Sequence, residues 1–492
     1  MKKYVFYPLL GVLLFAGCNP QSATKTVHVN LSGLAQGSTI TLATQDQNGT
    51  LTQDGNYTFT VSSMDALSIV DVTNNPNRPE KATSLQMCKL TTTQEDATIT
   101  CEERAFFENT STLWSTNGTA QGTYSLGQIS PRHFTVMGNK LYFSACSGTY
   151  GCELWQSDGT LSGTHMLKDI NVGTNSSYSF YNMSNRETSV KVFKNRLYFL
   201  AIDDIHGTEL WSTDGTTEGT TMLPEMLDGN ISDWPHEGFS FAVYHDELYL
   251  NAAAPSYSYG TWKITSPTQK TSILPSTMRA SGFVVCNDQL YVSANDKSHS
   301  KLYAYDGTTL HEAPAIPNAY VLASNAPFAC YENKLIFSST DNQLALEKLW
   351  YLEDNTTHLF SSLTFPYSPL HAENALYFLA EDVSTNKELW RYQGDVVEKM
   401  TNLPYNFDMY YYVGEKFLIP MGKLGIYAYA NGATTQLSID QSYFYLDVLG
   451  STHSHLYFRV NSSYDNTQAI LLRTDGQTIE EIGRFADFNQ TN

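Results

Sequence analysis

A repeat of about 45 residues constrains this chain more than any other feature. Residues 141–170 (LYFSACSGTYGCELWQSDGTLSGTHMLKDI) recur as residues 197–226 (LYFLAIDDIHGTELWSTDGTTEGTTMLPEM), and residues 113–123 (LWSTNGTAQGT) are a partial copy. Later copies keep a Leu-Tyr-Phe-like anchor at Leu141, Leu197, Leu248, Leu290, Leu335, Leu376 and Leu456, with Phe417 as a weaker member. A Leu-Trp-like anchor follows at Trp114, Trp155, Trp211, Trp262, Tyr303, Trp350, Trp390, Tyr427 and Leu471.

The anchors predict a closed ring of four-stranded sheets. Six of the seven tryptophans occupy the second anchor position, and the repeat length suits a propeller blade. Asp-Gly pairs after the Trp strand, as at Asp158-Gly159 and Asp214-Gly215, indicate hairpin turns. Leu-Tyr-Phe is apolar on both strand faces, as expected for a sheet packed between neighbours. We therefore predict an all-β fold, a β-propeller of about eight four-stranded blades, with seven or nine left open.

The repeat also resembles a known family. The pattern Glu-Leu-Trp-x-Ser/Thr-Asp-Gly-Thr-x-x-Gly-Thr at residues 153–164 and 209–220 is similar to the repeat of many exported bacterial proteins with propeller folds. The resemblance is strong over residues 113–226. It implies export and a propeller, and it supplies no catalytic residues.

The N-terminus carries an export signal. Lys2 and Lys3 precede an apolar run of 12 residues at 5–16, which is too short to span a bilayer. The following Ala-Gly-Cys resembles the lipobox of bacterial lipoproteins, which implies cleavage after residue 17 and acylation, including palmitate, at Cys18. Asn19 rather than Asp follows the cysteine, so the resemblance implies the outer membrane. We predict a signal peptide at 1–17, a tether at 18–24 and a lipid anchor in the membrane.

The next segment differs from the repeat. Residues 25–103 lack the Trp anchor and alternate apolar and polar residues between turn formers, which predicts a small β-sandwich module. The segment resembles short modules that precede this repeat in other bacterial proteins and end in a Cys-strand-Cys hairpin. The remaining residues, 104–492, are assigned to the propeller.

Six cysteines remain after Cys18, an even number in an exported chain, which favours disulfides. Cys146 and Cys152 flank a turn-rich segment and are predicted to pair across a hairpin. Cys88 and Cys101 are predicted to join the last strands of the module. For Cys286 and Cys330, the repeat positions leave a bridge and two buried thiols equally open. No Cys-x-x-Cys pair points to zinc, and we expect no metal or cofactor.

The net charge and the absence of certain motifs exclude several classes of function. The net charge of −20 opposes binding to nucleic acid. No nucleophile elbow, metalloprotease helix or phosphate loop occurs, so we predict a non-catalytic protein-interaction scaffold. The alternatives are a glycan-binding surface adhesin and, with less support, a hydrolase or lyase that uses the central channel.

The longest repeats point to a binding site. The spacings from Trp155 to Trp211 and from Trp211 to Trp262 are 56 and 51 residues, longer than elsewhere. Loops within 171–187 and 228–238 should therefore project from the ring, and loops commonly carry function. We predict binding residues at Trp234, Asp233 and His236.

Overall fold

The computed structural model describes most of the chain beyond residue 24. No helix within the described residues is long and apolar enough to cross a membrane. The described residues are 25–35, 38–43, 48–61, 67–73, 84–93, 96–177, 190–223, 240–253, 259–266, 269–275, 278–295, 300–314, 319–321, 329–341, 347–361, 363–382, 386–440, 442–443, 445–461 and 468–488.

The first strands build the predicted small sandwich. They are β1 (Lys25–Ser32), β2 (Thr39–Ala43), β3 (Asn48–Leu51), β4 (Gly55–Val61), β5 (Ser68–Thr73), β6 (Ser84–Thr92) and β7 (Asp96–Asn109). One sheet contains β4, β1, β7 and β6, and the other has the order β3-β2-β5. Alternate residues of β1, such as Val27 and Val29, are buried against Ile40 and Leu42 of the second sheet.

The rest of the chain forms antiparallel sheets, which we call blades 1 to 9. Blade 1 combines β6 and β7 with β8 (Thr112–Thr116) and β9 (Tyr124–Gln128). Blade 2 contains β10 (Arg132–Met137), β11 (Lys140–Ser147), β12 (Gly151–Ser157) and β13 (His165–Lys168). Blade 3 contains β14 (Val190–Phe193), β15 (Arg196–Asp203), β16 (Gly207–Thr213) and β17 (Thr221–Met222). Blade 4 contains β18 (Ser240–Tyr244), β19 (Glu247–Ala253), β20 (Tyr259–Ser266) and β21 (Gln269–Ser272).

The later blades repeat this arrangement. Blade 5 contains β22 (Arg279–Cys286), β23 (Gln289–Asn295), β24 (Ser300–Tyr305) and β25 (Leu310–Glu312). Blade 6 contains β26 (Ala319–Val321), β27 (Ala329–Tyr331), β28 (Lys334–Asp341), β29 (Glu347–Glu353) and β30 (Thr356–Ser361). Blade 7 contains β31 (Thr364–Ala372), β32 (Ala375–Glu381), β33 (Lys387–Gln393) and β34 (Val396–Lys399). Blade 8 contains β35 (Tyr411–Val413), β36 (Lys416–Pro420), β37 (Ile426–Ala430) and β38 (Ala433–Leu437). Blade 9 contains β39 (Tyr445–Ser451), β40 (Leu456–Asn461), β41 (Ile470–Thr474) and β42 (Ile479–Arg484). Short 3₁₀ turns span Gly422–Leu424 and Phe485–Asp487.

The blades close into a ring. Each joint between consecutive blades has its own hydrophobic cluster, and one more cluster joins blade 9 to blade 1. The leucine anchors are buried at these joints. Trp114 and Trp211 are buried, and each packs against the preceding blade. The chain is therefore an all-β propeller, as predicted, with the tryptophans wedged between blades.

The ring holds nine blades within the described residues, one more than the eight that the anchors favoured. Blade 1 lacks the Leu-Tyr-Phe signature, because its second strand reads Ala105-Phe106-Phe107. That strand is the second half of β7, whose first half belongs to the sandwich. Phe107 nevertheless pairs with Trp114, just as Phe143 pairs with Trp155 in blade 2.

The two faces of the ring differ. The face that we call the turn face carries the hairpins after the first and third strands of each blade. Many of these are two-residue turns with positive φ at both residues, as at Lys194 and Asn195. The opposite face, which we call the loop face, carries the loops after the second strand and the connections between blades. Of the two long segments, the described residues are 171–177, and they lie on the loop face.

Among the described residues, blades 9 and 1 share no strand, so side chains make the joint between them. Phe485 packs edge-on against Trp114 and Phe107, with ring centroids 5.3 and 6.0 Å away. Arg459 donates a hydrogen bond to Asn109 at 2.5 Å, and its guanidinium also pairs with Asp447 at 2.8 Å. Side-chain packing and hydrogen bonds therefore hold the ring closed.

The sandwich is joined to the turn face of the ring by shared strands. β7 runs from the sandwich into blade 1, and the predicted boundary between residues 103 and 104 falls inside it. At this junction the carboxylate of Glu103 accepts a hydrogen bond from the His453 amide at 3.0 Å. A Cβ at Gly159 would lie 2.6 Å from the sulfur of Met87, which shows how closely β6 approaches blade 2.

Three disulfides reinforce the fold. Cys88–Cys101 and Cys146–Cys152 are both present, as predicted. The pair left open by the sequence, Cys286 and Cys330, is bridged. This third bridge joins first-strand positions of blades 5 and 6, so it staples one blade joint.

Candidate functional site

The residues predicted to bind a partner lie outside the part of the chain that the structure describes. These are Trp234, Asp233 and His236, and the acylation site Cys18 also lies outside it. The other long loop, however, is described as far as Ser177. It leads to a group of three adjoining segments on the loop face of blades 2 and 3.

We call residues 147–151, 169–177 and 203–207 the loop cluster. Asn175 donates a hydrogen bond to the Asp204 carboxylate at 3.2 Å. The Ser177 amide donates to the Cys152 carbonyl at 3.0 Å, and the Ile202 amide donates to the Ser177 carbonyl at 2.9 Å. The middle segment therefore fills the space between the two blades and ties their loops together.

A buried carboxylate holds the middle segment, residues 169–177, in place. Glu153 lies in the Glu-Leu-Trp motif, is fully buried, and accepts hydrogen bonds from the amides of Ile170, Asn171 and Ser177 at 3.0, 3.3 and 3.1 Å. Burial raises the pKa of Glu153 to about 7, although these hydrogen bonds favour the ionised form. This glutamate therefore fixes a loop rather than facing a substrate.

The same arrangement recurs in another blade. Glu388 of blade 7 is buried and accepts hydrogen bonds from the Leu403 amide at 3.0 Å and the Thr401 hydroxyl at 2.6 Å. Thr401 and Leu403 lie in the connection to the next blade. The repeated glutamate is thus a structural element of the motif, because it satisfies backbone donors where one blade leads to the next.

The outer segments of the loop cluster are also fixed. The Cys146–Cys152 disulfide closes the first segment. In the third, Asp203 accepts hydrogen bonds from the amides of Ile205 and His206 at 3.0 and 2.5 Å, and its other oxygen lies 2.8 Å from Nδ1 of His206. Burial opposes ionisation of Asp203, but these hydrogen bonds outweigh it and lower the pKa.

Apolar side chains nevertheless point into solvent from this well-fixed cluster. Tyr150, Val172 and Ile205, which we call the apolar triad, are 43, 77 and 76% exposed, and one stands on each segment. None of the three was predicted from the sequence. The sequence feature that could have indicated them is an apolar residue among polar, turn-forming neighbours. Val172 lies between Asn and Gly, and Ile205 lies between Asp and His. Such a surface suits binding rather than chemistry.

The polar residues of the repeat motif have a structural role in the turns. In blade 3, the Asp214 carboxylate accepts hydrogen bonds from the amide and hydroxyl of Thr216 at 3.0 and 2.7 Å. The Thr216 hydroxyl in turn accepts from the Gly219 amide at 2.9 Å. Blade 2 repeats these contacts, as does blade 1 with Asn117 in place of the aspartate. The motif therefore specifies a hairpin turn.

Comparisons with known proteins concern the fold. No protein-family model matches the chain, and no curated protein is similar to it in sequence. A puromycin-hydrolysing peptidase from Mycobacterium tuberculosis matches 61% of this chain at 10% identity and a TM-score of 0.35, and the chain spans 54% of that peptidase. The β-propeller domain of the Trilobed protease from Pyrococcus furiosus matches 73% of this chain and 98% of its own, at 8% identity and a TM-score of 0.37. The computationally designed Ika8 protein matches 73% of this chain and 97% of its own, at 13% identity and a TM-score of 0.39. At these levels of similarity, none of them assigns a function to this chain.

Proposed function

We propose that this chain is an outer-membrane lipoprotein, acylated at Cys18, whose propeller is a non-catalytic scaffold that binds other proteins through the loop cluster. The observation that carries the binding role is the apolar triad. Exposed apolar side chains on a fixed backbone lose little conformational freedom when a partner covers them. The lipobox resemblance at residues 16–18 supports the anchor.

The position of the sandwich supports this arrangement. β1 runs parallel to β7, so Lys25 lies at the end of the sandwich that is farther from the ring. Lys25, to which the tether is joined, thus lies at the far end, and the sandwich meets the ring at the turn face. Eight residues of β1 span roughly 25 Å at about 3.3 Å per residue. An anchored chain thus presents its loop face away from the membrane.

The anchor is tested by labelling cells with an alkyne analogue of palmitate. We expect the label on the wild-type protein, and its loss together with membrane association in Cys18→Ser. Asn19→Asp is the matched variant, because it keeps the acylated cysteine but should move the protein to the inner membrane. A membrane-bound Cys18→Ser protein would disprove the anchor.

The docking role is tested by placing a photo-crosslinking amino acid at Ile205 in cells. We expect discrete protein adducts after irradiation. Leu161 is the matched control, since it is 41% exposed but lies on the turn face. Equal adduct patterns from both positions, or none from position 205, would refute the assignment of the loop cluster.

A glycan-binding adhesin is the second candidate. Tyr150, Tyr405 and Tyr445 are exposed and lie on the loop face, and aromatic rings can stack on sugars. Adducts from position 205 that resist protease and stain as carbohydrate would favour this function over protein binding.

A further inference from the structure

The charge around the apolar triad points to the chemistry of the partner, given the proposed docking role. Among the loop-cluster residues, the acidic side chains are Asp169, Asp203 and Asp204, and the one basic side chain is His206. Lysine and arginine are absent from these three segments. The apolar triad is therefore bordered by carboxylates, with a single histidine that is held by Asp203.

Lys168, the lysine next to Asp169 in the sequence, does not neutralise these carboxylates. The Lys168 ammonium donates a hydrogen bond to the Thr220 carbonyl at 2.6 Å and lies over the Trp211 ring at 5.9 Å. Asp204 is exposed, and its partner among the described residues is the neutral amide of Asn175. The negative charge of Asp204 is thus available to a partner, whereas Asp203 is paired with His206 and one oxygen of Asp169 is buried.

Several classes of occupant are disfavoured by this charge. A second copy of the chain carries the same carboxylates and a net charge of −20, so the two surfaces repel each other. Anionic lipids and phosphorylated ligands meet the same repulsion. An uncharged apolar surface would leave the carboxylates without partners when they lose water.

We propose that the loop cluster binds a protein segment in which apolar side chains alternate with lysine or arginine. The apolar side chains cover Tyr150, Val172 and Ile205, and a cation pairs with the exposed Asp204 carboxylate beside them. Apolar contact supplies most of the affinity, and the charged pairs supply selectivity and a dependence on salt.

The test uses purified full-length protein and three labelled octapeptides in which leucine alternates with lysine, serine or glutamate. Fluorescence anisotropy should show the lysine peptide binding at least about tenfold more tightly than the serine peptide, with the advantage falling as salt rises. Tyr150→Ser/Ile205→Ser should abolish binding. Asp204→Lys should weaken the lysine peptide by about tenfold and leave the serine peptide unchanged. The matched control is Asp354→Asn, in the hairpin between β29 and β30 on the turn face, which should change nothing.

The outcomes separate this inference from the docking role itself. The proposal of a basic partner would be overturned by equal affinity for the lysine and serine peptides. It would also be overturned if Asp354→Asn weakened binding of the lysine peptide as much as Asp204→Lys does. Either result would leave the docking surface intact. Failure of all three peptides, with crosslinking at position 205 still producing adducts, would also overturn it. Failure of crosslinking as well would refute the proposed function.

Discussion

The closure of the ring without a shared sheet yields a specific prediction. Phe485 is 3% exposed and lies between blades 9 and 1, against Trp114 and Phe107. Truncating a buried phenylalanine to alanine costs about 3 to 5 kcal/mol. Melting temperatures fall by about 2 to 4 °C per kcal/mol in domains of 150 to 250 residues, and by about half as much in a cooperative unit of this size. Phe485→Ala should therefore lower the melting temperature by roughly 3 to 10 °C.

Differential scanning fluorimetry measures this shift, and a double-mutant cycle tests its cause. Because the rings of Phe485 and Trp114 meet edge-on, Phe485→Ala and Trp114→Ala should couple by about 0.5 to 1.5 kcal/mol beyond additivity. Tyr405→Ala is the control, since this side chain is 57% exposed and should cost less than about 0.5 kcal/mol. A melting temperature of Phe485→Ala within 1 °C of the wild type would refute the closure described above.

Three further perturbations test other parts of the structure. Because the pKa of Glu153 is about 7 in the folded chain, raising the pH from about 4.5 to 7 should reduce the free energy of unfolding by up to about 3 kcal/mol through this group. Urea unfolding of Glu153→Gln should lack that contribution. Parallel pH profiles of the variant and the wild type would contradict this. Gly215→Ala places a Cβ 2.3 Å from the Tyr142 hydroxyl at a φ of +91°, so it should lower the melting temperature, and adding Tyr142→Phe should restore part of the loss. Trp211→Ala should cost about 3 to 5 kcal/mol in thermal unfolding, and an unchanged melting curve would refute its place in the core.

The sequence was informative where one residue type serves the same role in most of the blades. Leu141 and Leu197 are fully buried at equivalent positions, and Asp158-Gly159 and Asp214-Gly215 form the predicted hairpins. These roles are local to a strand or a turn, so their residue preferences are visible in the repeat.

What the sequence concealed depends on neighbours in space. Blade 1 was hidden because Ala105 replaces the leucine anchor, which is tolerated where blade 9 contributes Leu471 and Phe485 to the same cluster. The Cys286–Cys330 bridge could be decided only once blades 5 and 6 were adjacent. The loop cluster likewise arises from three segments that are unremarkable singly and become a surface when Glu153 and the disulfide hold them together.

Strand β7 has a mechanical consequence for a tethered chain. His28–Ser32 of β1 pair in parallel with Asp96–Thr100 of β7, and tension applied at Lys25 acts along both strands. The hydrogen bonds between them are then sheared together rather than peeled one by one. Past Thr100 the load travels through the backbone of β7 into blade 1, with Cys88–Cys101 as a covalent crosslink beside it. Drag on the ring would thus be borne by a strand embedded in two sheets instead of by a flexible hinge.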